Sequence, residues 1–146
     1  MACPRVVIAD DLQEIRERLT QLLRQDFNVV GSVQNGQEAI EAVSTLDPDL
    51  VVLDISMPVF NGIQVASRLR DVGSVAKVIF FTVHEDSDYV EAAFAVGAWG
   101  YVFKSRVATD LIPAVRSALQ GHKFVSDKTS SSLPNRPRLT RLRKGA

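Results

Sequence analysis

Asp10, Asp11, Asp54, Thr82 and Lys104 are polar residues that end, or stand directly after, short apolar runs. The runs are Arg5-Val-Val-Ile-Ala9, Leu50-Val-Val-Leu53, Lys77-Val-Ile-Phe-Phe-Thr82 and Gly100-Tyr-Val-Phe103. Apolar runs without alternation are the pattern of strands covered on both faces of a parallel sheet. Each polar residue then falls at the carboxyl end of a strand, the edge of an open α/β sheet where ligands bind. Taken singly, each has an ordinary reading as a cap, turn or surface residue, and Asp54 is no exception. Taken together, three carboxylates facing a hydroxyl and an ammonium form a set placed for chemistry, centred on Asp54 at the end of a central strand.

The segments between the runs must bring these residues to one edge. Leu12, Ile15, Leu19, Leu22 and Leu23 recur at helical spacing, with Gln13, Glu14, Arg16, Glu17 and Arg18 on the other face, and predict helix one. Phe27 to Val33 is rich in β-branched residues and predicts strand two. Asn35-Gly36 turns the chain, and Ala39, Ile40 and Val43 give helix two a narrow stripe until Asp47-Pro48 stops it. Helix three is expected from about Asn61, with Ile63, Ala66 and Leu69 on one side. Ser87 to Val96 predicts helix four, with Val90, Ala93 and Phe94 inward and Gly97 as its C-terminal cap. Thr109 is the expected cap of helix five, whose stripe is Leu111, Ile112, Val115, Ala118 and Leu119; Pro113 then falls in its first turn. Phe80 and Phe81 are expected on opposite faces of strand four. Five strands alternating with five helices predict an α/β fold, a parallel sheet with helices on both faces.

Composition sets the outer bounds. A chain of 146 residues has room for one domain with a full core and a short appendage. Its hydrophobic fraction of 46% and charged fraction of 23% are those of a soluble globular protein. No apolar run approaches the roughly 20 residues that span a bilayer, and no signal peptide is evident, so the expected location is cytoplasmic with no membrane partner. Cys3 has no cysteine to pair with and reads as an inert thiol. The net charge of zero hides an asymmetry: residues 134–146 hold five basic and no acidic residues, leaving 12 basic and 17 acidic in the first 133. The Ser/Lys/Thr-rich stretch from Ser126 to Ser132 and Pro134-Asn-Arg-Pro137 read as a linker or disordered tail, so the domain is placed at 1–122 and the tail at 123–146.

The motifs carry a family resemblance. Asp10-Asp11 after strand one, Asp54 followed by Met57-Pro58 and Gly62, Thr82 ending strand four, Gly97-Ala98, Gly100-Tyr101, and Lys104 after strand five resemble a response-regulator receiver domain of two-component signalling. The resemblance covers Arg5 to about Gly121. It implies a flavodoxin-like (βα)5 three-layer sandwich with strand order 2-1-3-4-5, whose switch point lies between strands one and three. It also implies that Asp54 accepts a phosphoryl group from the phosphohistidine of a sensor histidine kinase. Clustered carboxylates repel one another and an incoming phosphoryl group, so Mg²⁺ is the implied cofactor. Its implied ligands are Asp11, Asp54 and the Ser56 carbonyl directly, and Asp10 through water. Lys104 and the Thr82 hydroxyl would hold phosphoryl oxygens, and such a domain catalyses its own phosphorylation and dephosphorylation without being an enzyme in the ordinary sense. Thr82 and Tyr101 are the implied switch residues, with Tyr101 towards the side formed by helices four and five. The helix-four, strand-five, helix-five face is then an expected homodimer or output contact.

Two positions depart from the family pattern, Asn61 where Asp is frequent and Ser105 where Pro is frequent; a cis peptide before Ser105 would cost about 2.5–4 kcal/mol and is not assumed. Lys104-Ser105, with Gly121 to Ser126, is similar to LuxR-type regulators, in which a helix-turn-helix domain follows the receiver. Leu139-Thr140-Arg141 resembles the opening of such a domain, but no DNA-binding domain is expected before Ala146, so DNA is a partner only if that domain lies downstream. A stand-alone receiver acting by protein contact is the alternative. A Mg²⁺-dependent phosphatase of the haloacid-dehalogenase type is weaker, because its second aspartate is here Ser56. His84, two residues after Thr82 and near the pocket mouth, reads either as a modulator of water access to the phosphoryl group or, the favoured reading, as a solvated loop histidine, and His122 as a surface residue. Trp99 reads either as a lid over the end of helix four or as an anchor at a partner surface.

Overall fold

The structure is a computed structural model and describes residues 3–127, so the basic stretch and Leu139-Thr140-Arg141 lie outside the described residues. The chain forms β1 (Arg5–Ala9), α1 (Gln13–Leu23), β2 (Asn28–Val33), α2 (Gly36–Leu46), β3 (Leu50–Leu53), α3 (Gly62–Asp71), β4 (Lys77–Thr82), α4 (Ser87–Ala95), β5 (Gly100–Phe103), α5 (Val107–Leu119) and β6 (Phe124–Val125). One parallel sheet has the order β2-β1-β3-β4-β5-β6, which contains the expected 2-1-3-4-5 and adds a sixth strand outside β5. The added strand lies in the segment assigned from sequence to the tail. Its connection also has an unusual hand: the chain advances across the sheet from β3 to β6, with α3 and α4 on one face but α5 on the other. Parallel crossovers are overwhelmingly right-handed, so a sequence reading has reason to end the sheet at β5.

The sheet is buried on both sides. Val7, Ala9, Val51, Leu53, Phe80 and Tyr101 pack against Ala39 and Val43 of α2, Val65, Ala66 and Leu69 of α3, and Ala93 of α4. On the opposite face Val6, Ile8, Val52, Ile79, Phe81 and Val102 pack against Leu19 and Leu23 of α1 and Leu111, Val115 and Ala118 of α5. Phe80 and Phe81 divide between the faces as alternation requires. This double coverage is why the strands are apolar runs rather than alternating ones.

The helix starts are local chemistry. Asn35 caps α2 by accepting from the Glu38 N–H, and Asn61 and Gln64 form a reciprocal capping box at α3. Gly62 lets α3 begin directly against the end of β3, because a Cβ there would run into the Asp54 carbonyl oxygen. Leu12, expected in the stripe of helix one, instead precedes α1 and is 53% exposed. Thr109 does not cap α5. A 3-10 turn over Lys104–Arg106 starts the helix at Val107, Arg106 pairs with Asp110 at 3.0 Å, and Pro113 lies inside the helix, where it forgoes one backbone hydrogen bond. Trp99 is partly buried against the core on the α1/α5 face, with the Lys77 ammonium 4.3 Å from its ring centroid and the Lys123 ammonium lying 5.8 Å from it and 5.7 Å from the Phe94 ring of α4.

One loop residue is strained. Val59 adopts φ +72° in the loop between β3 and α3, a region that a β-branched residue strongly disfavours, and its side chain is 66% exposed. Replacing it with glycine removes the clash and loses little packing. Val59→Gly is therefore expected to stabilise the fold by about 1 kcal/mol, read as a higher urea midpoint at unchanged slope.

Candidate functional site

Strand register assembles the site. Ala9 pairs with Leu53 and Thr82 with Phe103, so the next residues of β1 and β3, Asp10 and Asp54, emerge side by side, while Thr82 and Lys104 emerge at the same edge. The Asp54 N–H donates to the Ala9 carbonyl at 2.9 Å and fixes that register one residue past the strand. Asp10 and Asp54 are buried and Asp11 is exposed; one oxygen from each lies within 4.8 Å of the other two. Lys104 Nζ stands 2.9 Å from Asp10 Oδ2 and 3.1 Å from Asp54 Oδ2, bridging the two buried carboxylates. The other Asp10 oxygen accepts from the Leu12 N–H at 2.9 Å, and the Ser56 N–H reaches Asp54 Oδ1 at 3.3 Å. Thr82 is fully buried, and its hydroxyl accepts from the His84 N–H at 3.2 Å.

Electrostatics follow from this geometry. Burial, reinforced by the Asp10 charge, pushes the Asp54 carboxyl up to about 6 against the opposing pull of Lys104 and the Ser56 N–H. Burial works to lower Lys104, but its bonds to Asp10 and Asp54 and their charges outweigh it and raise it above the ordinary lysine value. Three carboxylates against one ammonium leave a negative pocket of hard oxygen donors. That donor set fits Mg²⁺ or Ca²⁺ better than a softer metal. Asp10, Asp11 and Asp54 could hold such an ion.

The raised Asp54 carries a consequence for stability. Its unfolded value is 3.8, so between about pH 4 and 6 the folded protein keeps a proton that the unfolded chain releases. Stability from this residue therefore falls as pH rises through that window and is gone above it. In metal-free buffer, Asp54→Asn is expected to melt several degrees above the parent at about pH 8 and to converge with it near pH 4. Thermal melts across pH check the sign.

The structure brings together all the expected site residues: Asp10, Asp11, Asp54, Ser56, Thr82 and Lys104. Tyr101 lies on the α4 side as expected, sharing that face with α2 and α3, but not on the α5 side, which is the opposite face; it is fully buried and its hydroxyl donates to the His84 carbonyl at 2.6 Å. Burial, with Tyr89, Asp86 and Glu85 nearby, raises the phenol above its usual value, so it remains a donor. His84 is half-buried at the pocket mouth, where its ring stacks on Tyr89 at 4.1 Å and its Nε2 lies 2.9 Å from Ser56 Oγ; this tie to Ser56 is what sequence reasoning missed. The signal was available: Ser56 and His84 each follow a pocket residue by two positions on neighbouring parallel strands. All peptides of the described residues are trans, Lys104-Ser105 included, and Ser105 Oγ donates to Glu85 Oε2 at 3.0 Å.

Known proteins are similar to this chain in sequence and in fold. The family model described as response regulator receiver domain matches residues 6–116. The chain is 36% identical over 131 residues to the uncharacterized transcriptional regulatory protein YvfU of Bacillus subtilis, covering 88% of this chain and 66% of that protein. It is 33% identical over 124 residues to the nitrate/nitrite response regulator protein NarL of Escherichia coli K12, covering 84% of this chain and 57% of NarL. The chain thus spans less than two thirds of the length of these relatives. The crystal structure of a two-component response regulator of the LuxR family from Aurantimonas superposes with a TM-score of 0.83 at 28% identity, over 97% of this chain and 99% of that one. With its flavodoxin-like sheet and its aspartate pocket at the switch point, the chain belongs to the response regulator receiver domain family, among relatives of the LuxR and NarL type.

Proposed function

We propose that the protein is a phosphoryl-accepting switch in which Asp54 takes a phosphoryl group from the phosphohistidine of a sensor histidine kinase. The observation that carries this reading is Lys104 bridging Asp10 and Asp54 beside an exposed third carboxylate, Asp11. An Asp54 oxygen attacks phosphorus, the phosphorus–nitrogen bond breaks, and its electron pair returns to the imidazole, leaving an acyl phosphate. Lys104 then passes from the Asp54 carboxylate to the phosphoryl oxygens, and the Thr82 hydroxyl donates to one of them. Mg²⁺, held by Asp11, Asp54 and the Ser56 carbonyl with Asp10 through water, would neutralise the charge gathered in the pocket. The test is incubation with acetyl phosphate and Mg²⁺, which is expected to add one phosphoryl mass; no added mass would reject the reading.

The output reading concerns Thr82 and Tyr101. Drawing the Thr82 hydroxyl to a phosphoryl group removes it as acceptor for the His84 N–H, and Tyr101 holds the carbonyl of that same residue. The pocket is thereby linked to the loop before α4. The α4, β5, α5 surface is proposed as the homodimer or output contact, populated more on phosphorylation. Sedimentation with and without beryllofluoride is expected to show association that Tyr101→Ala and Trp99→Ala weaken; association independent of the mimic would remove the switch. The length and names of the relatives support transcriptional output through a downstream DNA-binding domain, with a stand-alone cytoplasmic receiver as the second reading.

A further inference from the structure

Resting on the phosphoryl-acceptor reading, we infer that Ser126 is a positioning residue for Lys104, so that residues 123–127 belong to the switch. Ser126 lies 22 positions beyond Lys104 in a stretch whose composition reads as linker. It is nevertheless 4% exposed, and its polar atoms are committed on three sides. Its N–H donates to the Tyr101 carbonyl at 2.8 Å. Its Oγ accepts from the Phe103 N–H at 3.1 Å and donates to Asp110 Oδ2 at 2.6 Å. Asp110, 6% exposed, is gripped in turn by the Arg106 guanidinium at 3.0 and 3.4 Å.

These bonds enclose the backbone that carries Lys104. Phe103 is the residue before it, and Arg106 closes the 3-10 turn that begins at it. Without Ser126, the Phe103 N–H and the Asp110 carboxylate would each lose a buried partner, at the point where β5 gives way to the turn. Phe124 and Val125 are only partly buried, and the β5-α5-β6 connection has the disfavoured hand. The buried serine directly after β6 and the buried aspartate in the first turn of α5 therefore fix the geometry of the β5 end between them, and the side chain that leaves it is the ammonium lying 2.9 and 3.1 Å from Asp10 and Asp54. Because transfer depends on pre-placed charge, a displacement of that ammonium by a fraction of an ångström slows it severalfold.

The experiment measures the rate of Asp54 phosphorylation by acetyl phosphate with Mg²⁺ in the full chain. Ser126→Ala is expected to slow it about 5- to 10-fold, and Ser126→Thr, which keeps the hydroxyl, to restore it to within about twofold. Asp110→Asn, which leaves the serine in place, is expected to slow it in the same direction. In a Lys104→Ala background the Ser126→Ala change is expected to shift the remaining rate by less than about twofold, because its effect passes through the missing ammonium. A general loosening of the fold would instead act equally in both backgrounds. An unchanged rate in folded Ser126→Ala, or an undiminished effect without Lys104, overturns the inference. Failure of the parent to label at all would instead reject the phosphoryl-acceptor reading itself.

Discussion

Asp54→Asn is expected to abolish phosphoryl uptake from acetyl phosphate, lowering the rate at least about 1000-fold while the fold persists. The amide is nearly isosteric and can still accept from the Ser56 N–H, so the pocket keeps its shape, but it is no nucleophile. The neighbouring carboxylates are poorly placed to replace it. Asp10 is buried with one oxygen on the Leu12 N–H and the other on Lys104. Asp11 is exposed on the loop before α1, at the rim of the pocket rather than under Lys104. Intact-mass measurement after labelling checks this, and peptide mapping of any residual adduct names the acceptor. Labelling of the asparagine variant at the parent rate would move the nucleophile elsewhere. Because the same substitution is expected to raise the metal-free melting temperature, lost labelling in a more stable protein cannot be attributed to unfolding.

The site was legible because each of its residues is announced locally. A strand buried on both faces shows itself as an apolar run, and the polar residue that ends it is adjacent in the chain, so Asp10, Asp54, Thr82 and Lys104 each came with their own structural context. What sequence could not supply was the face to which an element belongs. Alternation separates Tyr101 from its neighbours, but the side that α4 and α5 take depends on crossovers spanning the whole sheet. These place α4 with α2 and α3, and α5 with α1, so Tyr101 shares a face with α4 and not with α5. β6 escaped because two residues carry no period, and because the Ser126 bonds to Phe103 and Asp110 join positions 23 and 16 apart. Thr109 was a plausible cap by type, but the 3-10 turn after Lys104 had already begun the helix. The placement of the pocket residues was thus readable from short segments, while their connection to the rest of the molecule lay in long-range packing.

Asp11 and Asp10 are adjacent in sequence, and their alanine variants are expected to fail in opposite ways. Asp11 is exposed, and its carboxylate adds negative charge to a pocket that already holds two others. Asp11→Ala is expected to lower Mg²⁺ affinity about 10- to 100-fold by removing a proposed direct ligand. It should leave the metal-free protein as stable as the parent or slightly more so, since carboxylate repulsion is relieved. Asp10 is fully buried and holds both Lys104 and the Leu12 N–H. Asp10→Ala removes both contacts, takes the side-chain acceptor from the part-buried Leu12 N–H and one counterion from Lys104, and is expected to cost about 2 kcal/mol of stability. Calorimetric Mg²⁺ titration and urea unfolding of the two variants separate the roles. An unchanged Mg²⁺ affinity in Asp11→Ala would show that the direct ligands lie elsewhere, and Asp10, the other carboxylate of the pair, would then be the residue to place in direct contact with the ion.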